Sequence, residues 1–275
     1  MSAVRPAPVR LQRTRGRVDV AFARRGAGSV LADLHQGGAA RVRLPRVAAG
    51  LPPEAVLVNT AGGLTGGDRI DLSVGVGPGA EGCVTSQACE KVYRAEDGVA
   101  EVALEADLAA GARLAWLPQP AILFDRSAFR RRLAFDLAPD ASLVAVEATI
   151  LGRGAMGERM VHGRFDEHWR VRIDGRLAWA GAQRLRDPGR ILGGPATLGG
   201  ATASATIVCV DGDPTATLER LRSLLGAATG RSGASALGPV VVGMLLADGP
   251  RRLVEDLQRV IEGLLARPIP RVWTC

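Results

Sequence analysis

Lysine is almost missing from this chain. Lys91 stands alone among 35 basic residues, so arginine carries nearly all of the positive charge. Aromatic residues are equally sparse at 4%. A nucleic-acid binder clusters basic side chains among stacking aromatics. Here the arginines are scattered through candidate strands, so the net charge of +7 reflects arginine usage and does not mark a nucleic-acid surface. The four cysteines, Cys83, Cys89, Cys209 and Cys275, form no C-x-x-C pair and none has a histidine beside it. That excludes a zinc ribbon or finger. Four cysteines in a chain this long need not pair, which fits a reducing cytosol. No apolar run reaches the roughly 18 residues of a membrane span. Arg5, Arg10, Arg13, Arg15 and Arg17 punctuate the N-terminus without a following apolar stretch, so residues 1–16 read as a flexible arm and not as a secretory signal.

What is present is alternation. Ile70, Leu72, Val74 and Val76 share one parity, as do Val102, Leu104, Ala106 and Leu108, then Leu133, Phe135 and Leu137. A period of two is the signature of a strand with one buried face. Leu143 to Val146 is a more continuous apolar run. Turn chemistry separates these segments: Gly77-Pro78-Gly79, Asp97-Gly98, Ala110-Gly111 and Pro139-Asp140. Short strands at this spacing predict a sandwich, barrel or β-solenoid over 17–200. The final part, 201–275, reads as α+β packed on that body, in one continuous domain. Asp213-Pro214 caps a first helix. Pro250 opens a second, whose Leu253, Leu257, Val260, Ile261 and Leu264 form an apolar stripe. Val240 to Leu246 reads as a buried strand, and Gly189 to Gly200 as a loop.

Two glycine strings invite a nucleotide reading. The loop N-T-A-G-G-L-T-G-G-D-R, residues 59–69, holds Gly62, Gly63, Gly66 and Gly67. It lacks the lysine that a phosphate-cradling loop requires. Gly75 to Ala80 matches G-x-G-x-x-A, but a strand pattern follows where a helix must start, so it reads as a hairpin turn. The first loop is set apart by its flanks, Asn59 on one side and Asp68-Arg69 on the other.

No serine sits in G-x-S-x-G, and the histidines are only His35, His162 and His168. Paired acids such as Asp68, Asp125 and Glu147 leave open a β-solenoid carbohydrate-active enzyme. The stretch from Glu147 to His168 packs Glu158, His162, Asp166 and Glu167 close together. Glu158 and His162 would share a helix face, whereas His162, Asp166 and His168 would share a strand face. Imidazole and carboxylate suit a borderline divalent metal such as nickel, but no tight H-x-H spacing exists. Weak, transferable contact fits this pattern better than a permanent site.

Four blocks then arrive in order: G-G-x-x-x-G-D at 62–68, T-x-Q-x-x-E-K-V-Y-R at 85–94, W-L-P-Q at 116–119 and G-R-x-A-x-G-E at 152–158. In these the chain resembles the urease accessory protein D family, strongly over 17–190. The resemblance implies a cytosolic assembly factor that is not an enzyme and has no permanently bound cofactor. It implies a mainly β fold, with strands stacked like a β-helix and about two C-terminal helices. The implied partners are urease accessory protein F, the GTPase accessory protein G through F, and apo-urease. An internal polar passage for nickel in transit is implied too. Carried onto this chain, its contacts would be Asp68, Glu90, Glu147, Glu158 and His162. Where the family commonly has Glu after W-L-P-Q, this chain has Pro120, with Asp125 as the nearest acid. Cys83 and Cys89 would share a face on an uninterrupted strand.

Overall fold

The computed structural model describes residues 12–190 and 192–274. Most of the expected N-terminal arm, residues 1–11, lies outside the described residues, and β1 begins at Arg15. Among the described residues, seventeen strands and two α-helices follow in chain order. The first strands are β1 (Arg15–Arg25), β2 (Gly28–Gly38), β3 (Ala40–Arg43), β4 (Glu54–Asn59), β5 (Arg69–Val76) and β6 (Glu81–Gln87). Next come β7 (Glu90–Val92), β8 (Ala100–Leu108), β9 (Arg113–Leu117), β10 (Ala121–Leu123), β11 (Ala128–Leu137) and β12 (Ser142–Leu151). Then follow β13 (Arg164–Ile173), β14 (Arg176–Arg186), β15 (Ala203–Val210), α1 (Pro214–Gly226), β16 (Arg231–Leu237), β17 (Val240–Ala247) and α2 (Pro250–Leu265).

The strands build two sheets. One runs β14-β13-β11-β8-β5-β1-β2, the other β16-β17-β15-β12-β9-β6-β4-β3, with β10 beside β12 and β7 beside β10. From β4 to β13 the chain passes back and forth between the sheets, so neighbours within each sheet pair in parallel. This is solenoid-like stacking, one of the three architectures that the strand spacing allows; antiparallel pairs join β1–β2, β3–β4 and β13–β14 and run through the β12-β15-β17-β16 end of the larger sheet. The Gly77–Gly79 turn links strands in different sheets; it is a corner of a coil and not a hairpin. The sequence of the turn does not decide between the two, because both need a tight glycine turn.

Alternation places one parity of each strand between the sheets. In-register pairing lines these residues into rows, such as Val18–Leu72–Leu104–Leu133–Trp169. All five are buried. Burial of each large apolar side chain contributes roughly 1.5–3 kcal/mol. A second core fills the opposite face of the larger sheet, where β12 points Val146, Ala148 and Ile150 at the helices. That is why Leu143 to Leu151 shows no clean alternation: both of its faces are covered. Asp213 Oδ1 caps α1 by accepting from Thr215 and Ala216 N–H at 3.0 Å each. The stripe of α2 buries Leu253, Leu257, Val260 and Ile261, as its spacing predicts. β15 and β17 extend the larger sheet, so the C-terminal part continues the body's own sheet.

Candidate functional site

Two breaks in the larger sheet define the site. β6 stops at Gln87 and β7 starts at Glu90; β9 stops at Leu117 and β10 starts at Ala121. β12 pairs with β9 as far as Ala145 and with β10 from Thr149, so Glu147 falls in the interval between them. The second break is the W-L-P-Q-P segment, whose prolines cannot donate to a ladder. It is held from behind by the C-terminus: Trp273 Nε1 donates to Leu117 O at 3.0 Å and Gln119 Nε2 to Val272 O at 3.0 Å.

Inside these breaks lies a cavity of about 240 Å³. Asn59, Gly62, Gly63, Cys89 and Glu90 line one part of it; Trp116, Phe129, Arg131 and Glu147 line another. The glycine loop is therefore part of the cavity wall. A Cβ on Gly63, at φ +148°, would strike the Tyr93 ring, and one on Gly66 would overlap the Asp97 carbonyl oxygen. Close backbone approach is what these glycines permit. Tyr93 Oη donates to Gly62 O at 3.0 Å, fastening the loop to the E-K-V-Y-R block. Asn59 turns back on the loop, its Oδ1 accepting from Ala61 N–H at 3.0 Å, and its Nδ2 donates to both Glu90 oxygens at 3.0 and 3.2 Å.

Arg131, Glu147 and Glu167 form a charged trio between the sheets. Arg131 Nη1 lies 2.6 Å from Glu147 Oε2, and Nε donates to Glu167 Oε2 at 2.8 Å. Nη2 reaches the same Glu167 oxygen and also Thr149 Oγ1, the latter at 3.2 Å. The outer oxygens are fixed by indoles: Trp116 Nε1 donates to Glu147 Oε1 and Trp169 Nε1 to Glu167 Oε1, both at 2.8 Å. Arg131 and Glu167 occupy the row Ile70–Val102–Arg131–Glu167, next to the apolar row above. Burial opposes the Arg131 charge, but the two carboxylates outweigh it and hold the guanidinium protonated. Burial pushes the Glu147 carboxyl up to about 7, against the pull of Arg131 and with the push of Glu167. Burial likewise pushes Glu90 up to about 7, partly offset by the Asn59 amide.

These raised values give a sign to the pH dependence. Both acids take protons more readily folded than unfolded, so stability falls as pH rises from about 4.5 to about 7. The thermal midpoint of E90Q/E147Q should lose most of that slope, since the amides do not titrate. A wild-type slope retained in the double variant would place the titration elsewhere.

The other expected contacts do not line this cavity. Asp68 is buried, and both of its oxygens are taken by backbone: Thr14 N–H at 2.7 Å and Thr65 N–H at 2.8 Å. It ties the glycine loop shut. Glu158 lies outside, paired with Arg153 and accepting from Asp125 N–H at 3.2 Å. His162 is exposed, with Nδ1 3.8 Å from Asp125 Oδ2. Asp125 gathers the pair, accepting from Val161 and His162 N–H at 2.8 Å each. No helix joins Glu158 to His162: only Gly154–Met156 is helical, as one 3-10 turn. β13 begins after His162, so His162 shares no strand face with Asp166 and His168. Cys83 faces the helix-side core, its thiol pushed up to about 12 by burial, whereas Cys89 lines the cavity. The break after Gln87 separates them, so they share no strand face. Arg131 was not singled out from sequence, and Glu167 only as one acid of a crowded stretch, although both have the parity of their apolar neighbours Phe129, Leu133, Phe165 and Trp169. Among the described residues, no three of His, Cys, Asp and Glu meet in a metal-holding group. No described helix is long and apolar enough to cross a membrane.

A two-sheet β-solenoid with an acid-bearing cavity between its sheets is the class of protein that this geometry defines. The sequence model of the UreD urease accessory protein family matches residues 14–274. A urease accessory protein UreD of Xanthobacter autotrophicus is 44% identical over 263 residues, covering 95% of this chain and 90% of the relative. One of Rhizobium etli is 45% identical over 268 residues, covering 96% of each. One of Brucella suis is 41% identical over 269 residues, covering 96% of this chain and 95% of the relative. The chain belongs to the UreD urease accessory protein family, whose members are named as accessory proteins and not as enzymes.

Proposed function

We propose that this chain is a cytoplasmic urease maturation factor, which joins accessory protein F, and through it the GTPase accessory protein G, to apo-urease. Its part in metal delivery is to hand nickel on through the cavity between its sheets. The observation that supports this reading is the placement of two carboxylates, the buried Glu147 and the half-buried Glu90, along one cavity of the sheet stack. A buried carboxylate is costly unless it is paired or serves a site. Two acids along one cavity provide oxygen contacts for a hard or borderline dication. Their spacing into separate contacts, without a three-ligand group, favours transfer over storage.

Nickel is cargo here and not a resident cofactor. Asp68 shapes the mouth loop, and Glu158 with His162 and Asp125 braces the neighbouring turn. Assembly is tested by pull-down of tagged protein, first with accessory protein F alone, then with F, G and apo-urease. Stepwise recovery of F, then G and apo-urease, supports the scaffold role. Recovery of apo-urease and G without any dependence on F would contradict the order of assembly.

A further inference from the structure

Arg131 stands between two buried carboxylates. Its guanidinium carbon lies 5.9 and 5.7 Å from the ring centroids of Phe129 and Phe165, which stack on each other 5.9 Å apart, so the paired rings back it on one side. The two carboxylates it touches are fixed independently of it, because Trp116 and Trp169 hold their outer oxygens. Their inner oxygens, Glu147 Oε2 and Glu167 Oε2, converge on the guanidinium together with Thr149 Oγ1. Three oxygens around one guanidinium, two of them carboxylate, would be left as ligands for a divalent cation once the guanidinium is gone. Of the trio, Arg131 and Glu147 line the cavity and Glu167 does not. The Arg131–Glu147 contact is also the simpler one. It is an ion pair at 2.6 Å without hydrogen-bond alignment, while Glu167 accepts from two guanidinium nitrogens.

We propose that Arg131 is a resident counter-ion, which occupies a latent divalent-cation site formed by Glu147, Glu167 and Thr149 and so prevents the cavity from trapping its cargo. This inference rests on the conduit reading above. With the guanidinium in place, the inner acids are neutralised enough to give a passing dication only weak contact at Glu147. Without it, the same oxygens close on the ion and keep it. The residue thus sets how tightly the cavity holds metal, and does so by charge and position, without ligating metal itself.

The test compares wild type, R131M and R131M/E147Q as purified full-length proteins, dialysed against nickel chloride. R131M should retain about one nickel per chain, at least about tenfold more tightly than wild type, and the double variant should lose that gain. Nickel should also raise the thermal midpoint of R131M but not that of R131M/E147Q, because only a folded-state ligand stabilises. If R131M does not fold even with nickel, R131K decides: its shorter, single-point charge cannot span both acids, so it should retain nickel above the wild-type level. A folded R131M, or failing that R131K, which binds nickel no more tightly than wild type overturns the proposal. So does a double variant that binds as tightly as R131M. Failure of the conduit reading looks different: R131M traps nickel, yet urease made with the E147Q protein is fully loaded.

Discussion

Arg131→Ala lowers the free energy of unfolding by about 3–5 kcal/mol, because it strands two buried carboxylates that the fold otherwise neutralises. Urea denaturation reads this as a fall in the midpoint with little change in slope. The companion variant sharpens the point. R131M/E147Q/E167Q removes all three charges, leaves amide oxygens to accept from the Trp116 and Trp169 indoles, and should recover most of the lost stability. Recovery means that the charges are not retained for the fold's sake, which is what a site demands. A triple variant as unstable as R131A would show that the trio is a structural keystone, and the cavity acids would then need no functional explanation.

Asp68→Ala costs about 2–4 kcal/mol for a different reason: it leaves the amides of Thr14 and Thr65 without their acceptor. The glycine loop between Asn59 and Asp68 should loosen with it. Hydrogen exchange at Leu64, Thr65 and Asp68 should rise, since their amides are bonded to Lys91 O, to the Asp68 side chain and to Thr65 O. Asp68 belongs to the G-G-x-x-x-G-D block, so a role in contacting metal was a natural reading. That role would predict an intact, stable D68A protein that hands on less nickel. Lost stability with faster exchange in the loop supports the tie; undiminished stability would restore Asp68 to the metal contacts.

The strands were largely legible because alternation is a local signal. The Ile70–Val76, Val102–Leu108 and Leu133–Leu137 patterns each fall within strands whose apolar parity faces the core. Both helices announced themselves by Asp213-Pro214 and by Pro250. Which sheet a strand joins was not legible, since it depends on where each coil turns; hence Gly77–Gly79 read as a hairpin. The site was half legible for the same reason. Glu90 stood in the E-K-V-Y-R block and Glu147 at the head of the acidic stretch, but the breaks that open a cavity beside them depend on pairing between distant strands. Arg131 hid in a run of three arginines, Arg130 to Arg132, in a chain full of arginine. Its parity with Phe129 and Leu133 held the information, and only register with Glu167 gave it meaning. The dense acidic stretch divides: Glu147 and Glu167 meet Arg131 between the sheets, whereas Glu158 and His162 sit on a surface turn and Asp166 is buried on the other face of its strand, paired with Arg164 and Arg186.

The central claim is that the acids inside the sheet stack handle nickel bound for urease. The most direct measurement is the nickel content of urease matured in cells that supply E90Q/E147Q in place of the wild-type chain, alongside recovery of the assembly complex. The amides keep the size of the carboxyls and remove the charge. The account predicts an intact complex and urease with less than about half the normal nickel, because neutral amides are poor partners for a dication. Fully loaded urease from the same cells would contradict it.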